Sequence, residues 1–382
     1  MNIKKEKENL IMKKKILSLI LAGVMVMSMA ACAVKKPGAE DTAKDGDKKD
    51  SKGGYELALI TDVGTIDDKS FNQGSWEGLE KYAKEHDITY KYYKPAEKSD
   101  EACLNAIDLA VKGGAKVVAT PGFLFEVPVY EAQTKYPDVS FIIIDAQPVK
   151  DGEAKLEDNV LSIFYAEEQA GYLAGYAAVT EGYRNLGFMG GIAVPAVIRY
   201  GYGFIQGADA AAKDLGLAAG DVSVKYTYVG NFDASPENNA KAAAWYNEGT
   251  ECIFACGGGV GNSVMKAAET AGKVVIGVDV DQSVESDTVI TSAMKNLGDS
   301  VYDAVASYYD GNFAGGTTLN LSAKDDGIQL PMETSKFTKF TQEKYDELYG
   351  KLKDGSIKVE NDTVAEDATG VPAEIVKVEL IK

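Results

Sequence analysis

The sequence predicts an α/β protein built from two doubly wound lobes, each with a parallel β-sheet. Three observations support this fold class. The chain has 382 residues, more than one undivided hydrophobic core usually holds. Hydrophobic residues make up 45% of it, which is typical of a packed globular protein and excludes a disordered one. Short apolar runs alternate with segments of helical spacing in two successive series, which indicates parallel strands covered by helices on both faces.

The first series begins at residue 57. One face of its first helix carries the apolar residues Trp76, Leu79, Tyr82 and Ala83. The run 141–144 is entirely apolar, as expected of a strand buried on both sides. The predicted elements are strands at 57–60, 88–93, 116–120 and 141–144, and helices around Trp76, at 101–111 and at 127–136.

The second series starts at residue 167. It predicts strands at 185–189, 222–228, 252–255, 273–278 and 288–290, and helices at 167–180, 200–215, 236–246, 262–271 and 300–309. A further helix is predicted at 341–352. We expect chain crossings near Tyr165 and Thr291. The first lobe then comprises 55–164 with about 296–325, and the second comprises 165–295 with part of 326–382.

The N-terminal 31 residues are predicted to be a lipoprotein signal peptide. A basic region at 13–15 precedes an apolar run at 16–29, which is the length of a signal sequence and short for a membrane span. The run ends in Met29-Ala30-Ala31-Cys32, which resembles a bacterial lipobox with Met29 in place of the usual Leu. We therefore expect a lipid on Cys32, a flexible tether at 32–54, and a cell-membrane protein on the extracytoplasmic face. The alternative is an ordinary signal peptide with an incidental cysteine.

Composition excludes several functions. Lys and Arg number 40 against 58 Asp and Glu, a formal charge of −18 that argues against a nucleic-acid partner. His86 is the single histidine and lies in a charged run, so it is expected at the surface and no multi-His metal site is possible. Cys103, Cys252 and Cys256 are interpreted as small buried residues. Nothing supplies a nucleophile with a base, so we expect no enzyme, no metal and no cofactor.

The residues that follow the predicted strands indicate a binding cleft. Asp145 and Asp279 come directly after apolar strands, and buried carboxylates there need partners. Phe71, Phe232 and Lys295 also follow strands, and a glycine run occupies 257–261. The carboxyl ends of parallel strands converge, and carboxylates with aromatic rings suit a sugar that carries a flat base.

Each of these features also has a structural interpretation. Phe71 and Phe232 are equally consistent with core packing, and Asp67 and Asp68 with capping a helix. Tyr200 fits a core position within its predicted helix, and Arg199 is expected at the surface.

Seven segments in order resemble the basic membrane protein family of lipoproteins, which includes purine nucleoside receptors. The resemblance runs from about residue 55 to about 320, and it rests on the segments 67–73, 76–78, 120–123, 203–207, 228–232, 276–282 and 291–296. It implies a type I periplasmic-binding-protein fold, with two lobes joined by a hinge of several crossings that close on the ligand. It also implies a monomeric substrate-binding lipoprotein that captures purine nucleosides for an ABC permease.

The resemblance further implies roles for individual residues. Phe71 and Phe232 would sandwich the base, while Asp279, Lys295 and a glycine of the 257–259 turn, Gly258, would hold the ribose. Asp68, Asn72 and Asp145 would address either the base edge or the remaining hydroxyls. A ribose-type sugar receptor of the same fold is the alternative, and a nucleoside-acting enzyme is less favoured.

Overall fold

The strands form two large sheets, and the first contains six of them. The computed structural model describes residues 54–62 and 64–381. The strands of the first sheet are β1 (Leu57–Ile60), β2 (Tyr90–Tyr93), β3 (Val117–Pro121), β4 (Ser140–Ile144), β7 (Val160–Tyr165) and β13 (Thr317–Leu321). Their order is β13-β7-β4-β3-β1-β2, and every pair is parallel. A separate hairpin pairs β5 (Val149–Lys150) with β6 (Glu153–Ala154).

The second sheet contains seven strands. They are β8 (Asn185–Gly190), β9 (Val222–Tyr228), β10 (Cys252–Cys256), β11 (Val274–Asp279), β12 (Val289–Lys295), β14 (Ile328–Gln329) and β15 (Val376–Leu380). Their order is β14-β12-β11-β10-β8-β9-β15, and only β14 is antiparallel to its neighbour. The predicted α/β architecture of two parallel-sheet lobes is confirmed.

Helices cover both sheets. The first sheet packs with α1 (Phe71–Glu85), α2 (Asp100–Lys112), α3 (Glu126–Lys135) and α8 (Leu297–Tyr309), which together we call the first lobe. The second lobe is the other sheet with α4 (Glu167–Glu181), α5 (Pro195–Asp214), α6 (Pro236–Asn247), α7 (Gly259–Ala271) and α9 (Gln342–Lys353). The chain passes between the lobes after β7, after β12 and after β13.

Some elements differ from the prediction. Helix α5 begins five residues before the predicted start at Tyr200, because Pro195 occupies its first turn, where proline needs no backbone N–H. The sequence analysis missed β7, β13 and β15. Each is held by a partner strand, and β13 (TTLNL) is so exposed that it carries no core pattern. His86 is exposed, and Cys103, Cys252 and Cys256 are buried and free, as predicted.

Helices α4 and α5 pack backbone against backbone. A Cβ atom at Gly203 would lie 1.9 Å from the carbonyl oxygen of Glu168, and one at Gly171 would lie 2.1 Å from that of Tyr200. Only glycine permits such an approach. The contact fixes the N-terminal turns of α4 and α5 relative to each other, next to the carboxyl ends of the second sheet.

The N-terminal predictions fall outside the described residues. The signal peptide, Cys32 and all of the tether except Gly54 belong to this undescribed part of the chain. In the described part, no helix combines the length and apolarity that crossing a bilayer requires.

Candidate ligand-binding site

A cavity of about 260 Å³ lies between the two lobes, at the carboxyl ends of their strands. Both lobes contribute to its wall, as expected for the cleft of a doubly wound fold. The structure brings all eight sequence-predicted binding residues to this wall: Asp68, Phe71, Asn72, Asp145, Phe232, Gly258, Asp279 and Lys295. It adds Asp62, Glu126 and Tyr200, which the prediction did not include.

Two aromatic side chains face the cavity from different lobes. Phe71 is the first residue of α1, and Phe232 lies in the loop between β9 and α6. The Phe232 ring lies against bare backbone, since a Cβ at Gly191 would come within 2.3 Å of two of its ring carbons. Within the described residues the two rings make no contact with each other. Both rings line the cavity, and Lys295 Nζ lies over the Phe71 ring, 4.6 Å from its centroid.

Lys295 lies at the centre of a buried group of carboxylates. It is 3% exposed, and its Nζ pairs with Asp145 and lies 3.4 Å from Asp279 Oδ1 and 3.6 Å from Glu167 Oε1. Burial lowers the pKa of Lys295, but the three carboxylates outweigh it and hold this pKa above its usual value. The side chain is therefore a permanent cation. In the described part of the chain, no acidic, His or Cys cluster is arranged to hold a metal ion.

Asp145 and Asp279 occupy equivalent places in the two lobes. They stand at the ends of β4 and β11, with φ angles of 57° and 68° in the left-handed region that aspartate tolerates better than most residues. Burial raises the pKa of Asp145 to about 7; the charge of Glu167 adds to this and Lys295 opposes it. Asp145 Oδ1 makes no hydrogen bond within the described residues. It is a buried acceptor without a hydrogen-bond partner among these residues.

Polar contacts connect the two lobes across the cavity. Asp145 of the first lobe pairs with Lys295 of the second, and Ser70 Oγ donates a hydrogen bond to Asp279 Oδ2. Gln282 Nε2 donates to the backbone oxygen of Lys69 over 2.7 Å. Three residues that line the cavity, Asp145, Asp279 and Lys295, thus also take part in contacts between the lobes.

Asp68 serves mainly to hold the start of α1. Its two oxygens accept hydrogen bonds from the backbone N–H groups of Ser70, Asn72 and Gln73 and from Asn72 Nδ2. A carboxylate has about four acceptor positions, so these bonds use all of them. Asp68 was one of the two predicted caps: Ser70 stands at the N-cap position without a side-chain capping bond, and Asp68 accepts the first-turn donors.

Asp62 is a cavity residue that the sequence analysis missed. Its Oδ1 accepts hydrogen bonds from the Gly64 N–H and from Asn72 Nδ2, and its Oδ2 accepts none within the described residues. Burial raises the pKa of Asp62 to about 6, although these two donors lower it. A signal was present, because Asp62 lies two residues after the end of β1, close to the position that Asp145 occupies after β4.

The prediction that Arg199 lies at the surface was wrong. Its side chain is 13% exposed, its Nε donates to Glu167 Oε2 over 2.6 Å, and its Nη1 lies 3.5 Å from Asp362. Arg199 falls in the second turn of α5, against the first turn of α4 where Glu167 is buried. Because the helix was predicted to start at Tyr200, Arg199 was placed outside it, and its pairing with Glu167 was not recognised. Glu167 was also missed, and it connects Arg199 to Lys295.

Comparison with known proteins decides the family. Residues 55–363 match the sequence model of a family described as "ABC transporter substrate-binding protein PnrA-like". The chain belongs to this family. The substrate-binding protein is 29% identical over 347 residues to the "ABC transporter nucleoside-binding protein BmpA" of Lactococcus lactis, which covers 85% of this chain and 93% of the relative. It is 28% identical to "Basic membrane protein D" of Borreliella burgdorferi, over 85% of this chain and 93% of the relative.

The fold of the substrate-binding protein also recurs in solved structures. A solute-binding protein of an ABC transporter system from Aeropyrum pernix aligns with a TM-score of 0.69 and 22% identity, over 82% of this chain and 94% of that one. A second, from Conexibacter woesei, aligns with a TM-score of 0.65 over 81% and 99%. The predicted type I periplasmic-binding-protein fold is confirmed, as is the prediction of a binding protein rather than an enzyme.

Proposed function

We propose that this substrate-binding protein captures purine nucleosides between its two lobes and delivers them to an ABC permease. In this proposal it acts on the extracytoplasmic face of the cell membrane, held by a lipid on Cys32. The Lactococcus lactis relative, which is named a nucleoside-binding protein, supports the ligand class. In the proposal, the ligand contacts come from Asp62 and from the predicted residues other than Asp68, which holds the start of α1.

The pair of aromatic residues carries the proposal. Phe71 and Phe232 line the same cavity from opposite lobes without touching each other. A planar base placed between two rings gains stacking on both faces, worth about 1–3 kcal/mol per base by analogy with single-stranded nucleic-acid binders. A free sugar needs no such pair. A purine offers more stacking area than a pyrimidine and therefore fits the pair better.

The charged group beside Phe71 suits a pentose, since Lys295 Nζ lies 4.6 Å from the centroid of the Phe71 ring. Asp145 and Asp279 present carboxylate oxygens beside the Lys295 ammonium group, and hydroxyl groups can donate to the first and accept from the second. Hydrogen bonds to charged groups are worth about 1.5–3 kcal/mol each. Asp62 lies on the Phe71 side and is an acceptor for N–H groups on a base edge.

Calorimetry with a panel of ligands tests the proposal. Adenosine, guanosine, inosine, uridine, free adenine and free ribose are titrated into the purified protein. We expect purine nucleosides to bind most tightly. Phe71→Ala and Phe232→Ala should each weaken that binding about tenfold or more. Phe313→Ala is the matched control, because Phe313 is a half-buried aromatic residue that packs on Tyr308 away from the cavity.

Two results would contradict the proposal. If Phe71→Ala and Phe232→Ala both leave the affinity for purine nucleosides unchanged, the base does not stack between the two rings. Tight binding of ribose with none of the nucleosides would instead favour the sugar-receptor alternative.

A further inference from the structure

Five buried polar atoms without a hydrogen-bond partner lie around the Lys295 group. Among the described residues they belong to Asp145, Glu167, Glu168, Arg199 and Tyr200. Leaving a buried polar group unpaired costs about 1–3 kcal/mol, so such groups usually have a partner that completes them. Only Asp145 and Tyr200 of the five line the cavity, where a ligand can be that partner.

Tyr200 is held rigidly at the cavity wall. The residue is 1% exposed, and its ring packs edge-on against Phe254 with 5.8 Å between ring centroids. Lys295 Nζ lies 5.7 Å from the centroid of the Tyr200 ring. The backbone of Tyr200 is fixed by the close contact with Gly171 of α4. A rigid group loses little conformational freedom when it binds, so a hydrogen bond from it is favourable.

The hydroxyl of Tyr200 acts as a donor. Burial raises its pKa well above the usual value, and the nearby charges of Asp279 and Glu167 raise it further, so the phenol keeps its proton at neutral pH. A second unpaired atom, Asp145 Oδ1, belongs to another residue of the cavity wall and is an acceptor. A pentose diol matches both, because each hydroxyl donates one hydrogen bond and accepts others.

We propose that the Tyr200 hydroxyl donates a hydrogen bond to one hydroxyl of the ligand's pentose, and so makes Tyr200 a residue that selects ribonucleosides over deoxynucleosides. This inference rests on the proposed nucleoside function and deepens it. Tyr200 appeared in the sequence only as a core aromatic residue. The structure also places the residue in the cavity wall, and its buried hydroxyl makes no hydrogen bond within the described residues.

The test compares Tyr200→Phe with the wild type, since this change removes only the hydroxyl. The purine nucleoside that the wild type binds most tightly is titrated beside its 2′-deoxy and 3′-deoxy forms. We expect the variant to bind the ribonucleoside about three- to tenfold more weakly. Its affinity should be unchanged for the one deoxy form that lacks the bonded hydroxyl.

Tyr226→Phe is the matched control. Tyr226 is a fully buried tyrosine of the same lobe that does not line the cavity, and its hydroxyl bonds to that of Tyr228. We expect Tyr226→Phe to alter the melting temperature of the free protein and not its ligand selectivity. Tyr200→Phe should keep or raise that melting temperature, because it removes a buried unpaired hydroxyl.

The outcomes separate this inference from the proposed function. An equal loss for all three ligands, or no loss, overturns the role of Tyr200 while leaving the nucleoside function intact. If the wild type binds ribose but no nucleoside, the proposed function fails. The Tyr200 inference then depends on the affinity for ribose. It holds if Tyr200→Phe weakens the binding of ribose and leaves the binding of one deoxyribose unchanged, and it fails otherwise. If the wild type binds no pentose in any form, both fail.

Discussion

Replacing Gly203 with alanine should destabilise the second lobe more than almost any other single methyl group. The added Cβ would lie 1.9 Å from the carbonyl oxygen of Glu168 and 2.6 Å from its carbonyl carbon. An ordinary contact between such atoms is above about 3 Å. The obstacle is helix backbone, which has no rotamer to change, so α4 and α5 must separate by about 1 Å or more.

The cost follows from that displacement. Overpacking a well-packed core costs about 1–3 kcal/mol, and a backbone obstacle places this site at the upper end of the range. Gly350→Ala is the matched control, because Gly350 lies in exposed helix α9 and a Cβ there meets nothing within 4 Å. Alanine should stabilise that helix by about 0.5–1 kcal/mol. The two glycine-to-alanine substitutions should therefore change the free energy of unfolding in opposite directions.

Urea unfolding followed by tryptophan fluorescence measures both effects. The chain has two tryptophans: Trp76 is in α1 of the first lobe and Trp245 is in α6 of the second. A Trp76→Phe background leaves Trp245 as the reporter of the lobe that contains Gly203. Equal unfolding midpoints for Gly203→Ala and its background would refute the close packing of α4 on α5.

Two further predictions concern the anchor and the cavity. Cys32→Ser should move the protein from the membrane fraction to the soluble fraction and abolish labelling by a radioactive fatty acid; retention in the membrane with labelling would contradict the lipobox. Asp62 has a pKa raised by burial to about 6, above the value of about 4 in an unfolded chain. Between these values the folded state holds an extra proton, so the free energy of unfolding falls as the pH rises from about 4 to about 6. Asp62→Asn removes this pH dependence. Urea titrations at several pH values should therefore show that the variant gains stability relative to the wild type as the pH rises through that interval. A stability difference between the two proteins that does not change with pH would contradict the raised pKa.

The sequence predicted many of the residues that line the cavity of the candidate site, because strand ends are easy to recognise. Asp145 and Asp279 each follow an uninterrupted apolar strand, and the fold brings such ends together whatever the details of packing. The parallel sheets followed from the same alternation of strands and helices. Strands such as β13 could not be predicted, because their residues are exposed and only pairing with β7 makes them strands.

The residues that were misassigned depend on distances that no pattern encodes. Arg199 lies in the second turn of α5, and its pairing depends on where that helix begins and on how closely α4 approaches it. Glu167 is a charged residue at the start of a helix, which in most proteins is solvated. Here it is fully buried between Arg199 and Lys295. Such pairing can be read only from the packed structure.

The strand order of the second sheet affects how the protein behaves when it is crowded. The edge of a sheet can pair with another chain, and proteins limit this with very short edge strands or with charged ones. One edge of this sheet is β14, which has two residues, and the other is β15, where the exposed side chains of Lys377 and Glu379 alternate with less polar ones. Neither edge offers a long apolar template. Two crowded copies of the protein therefore gain little by pairing their strands at the edges of this sheet. This weakens one route to aggregation.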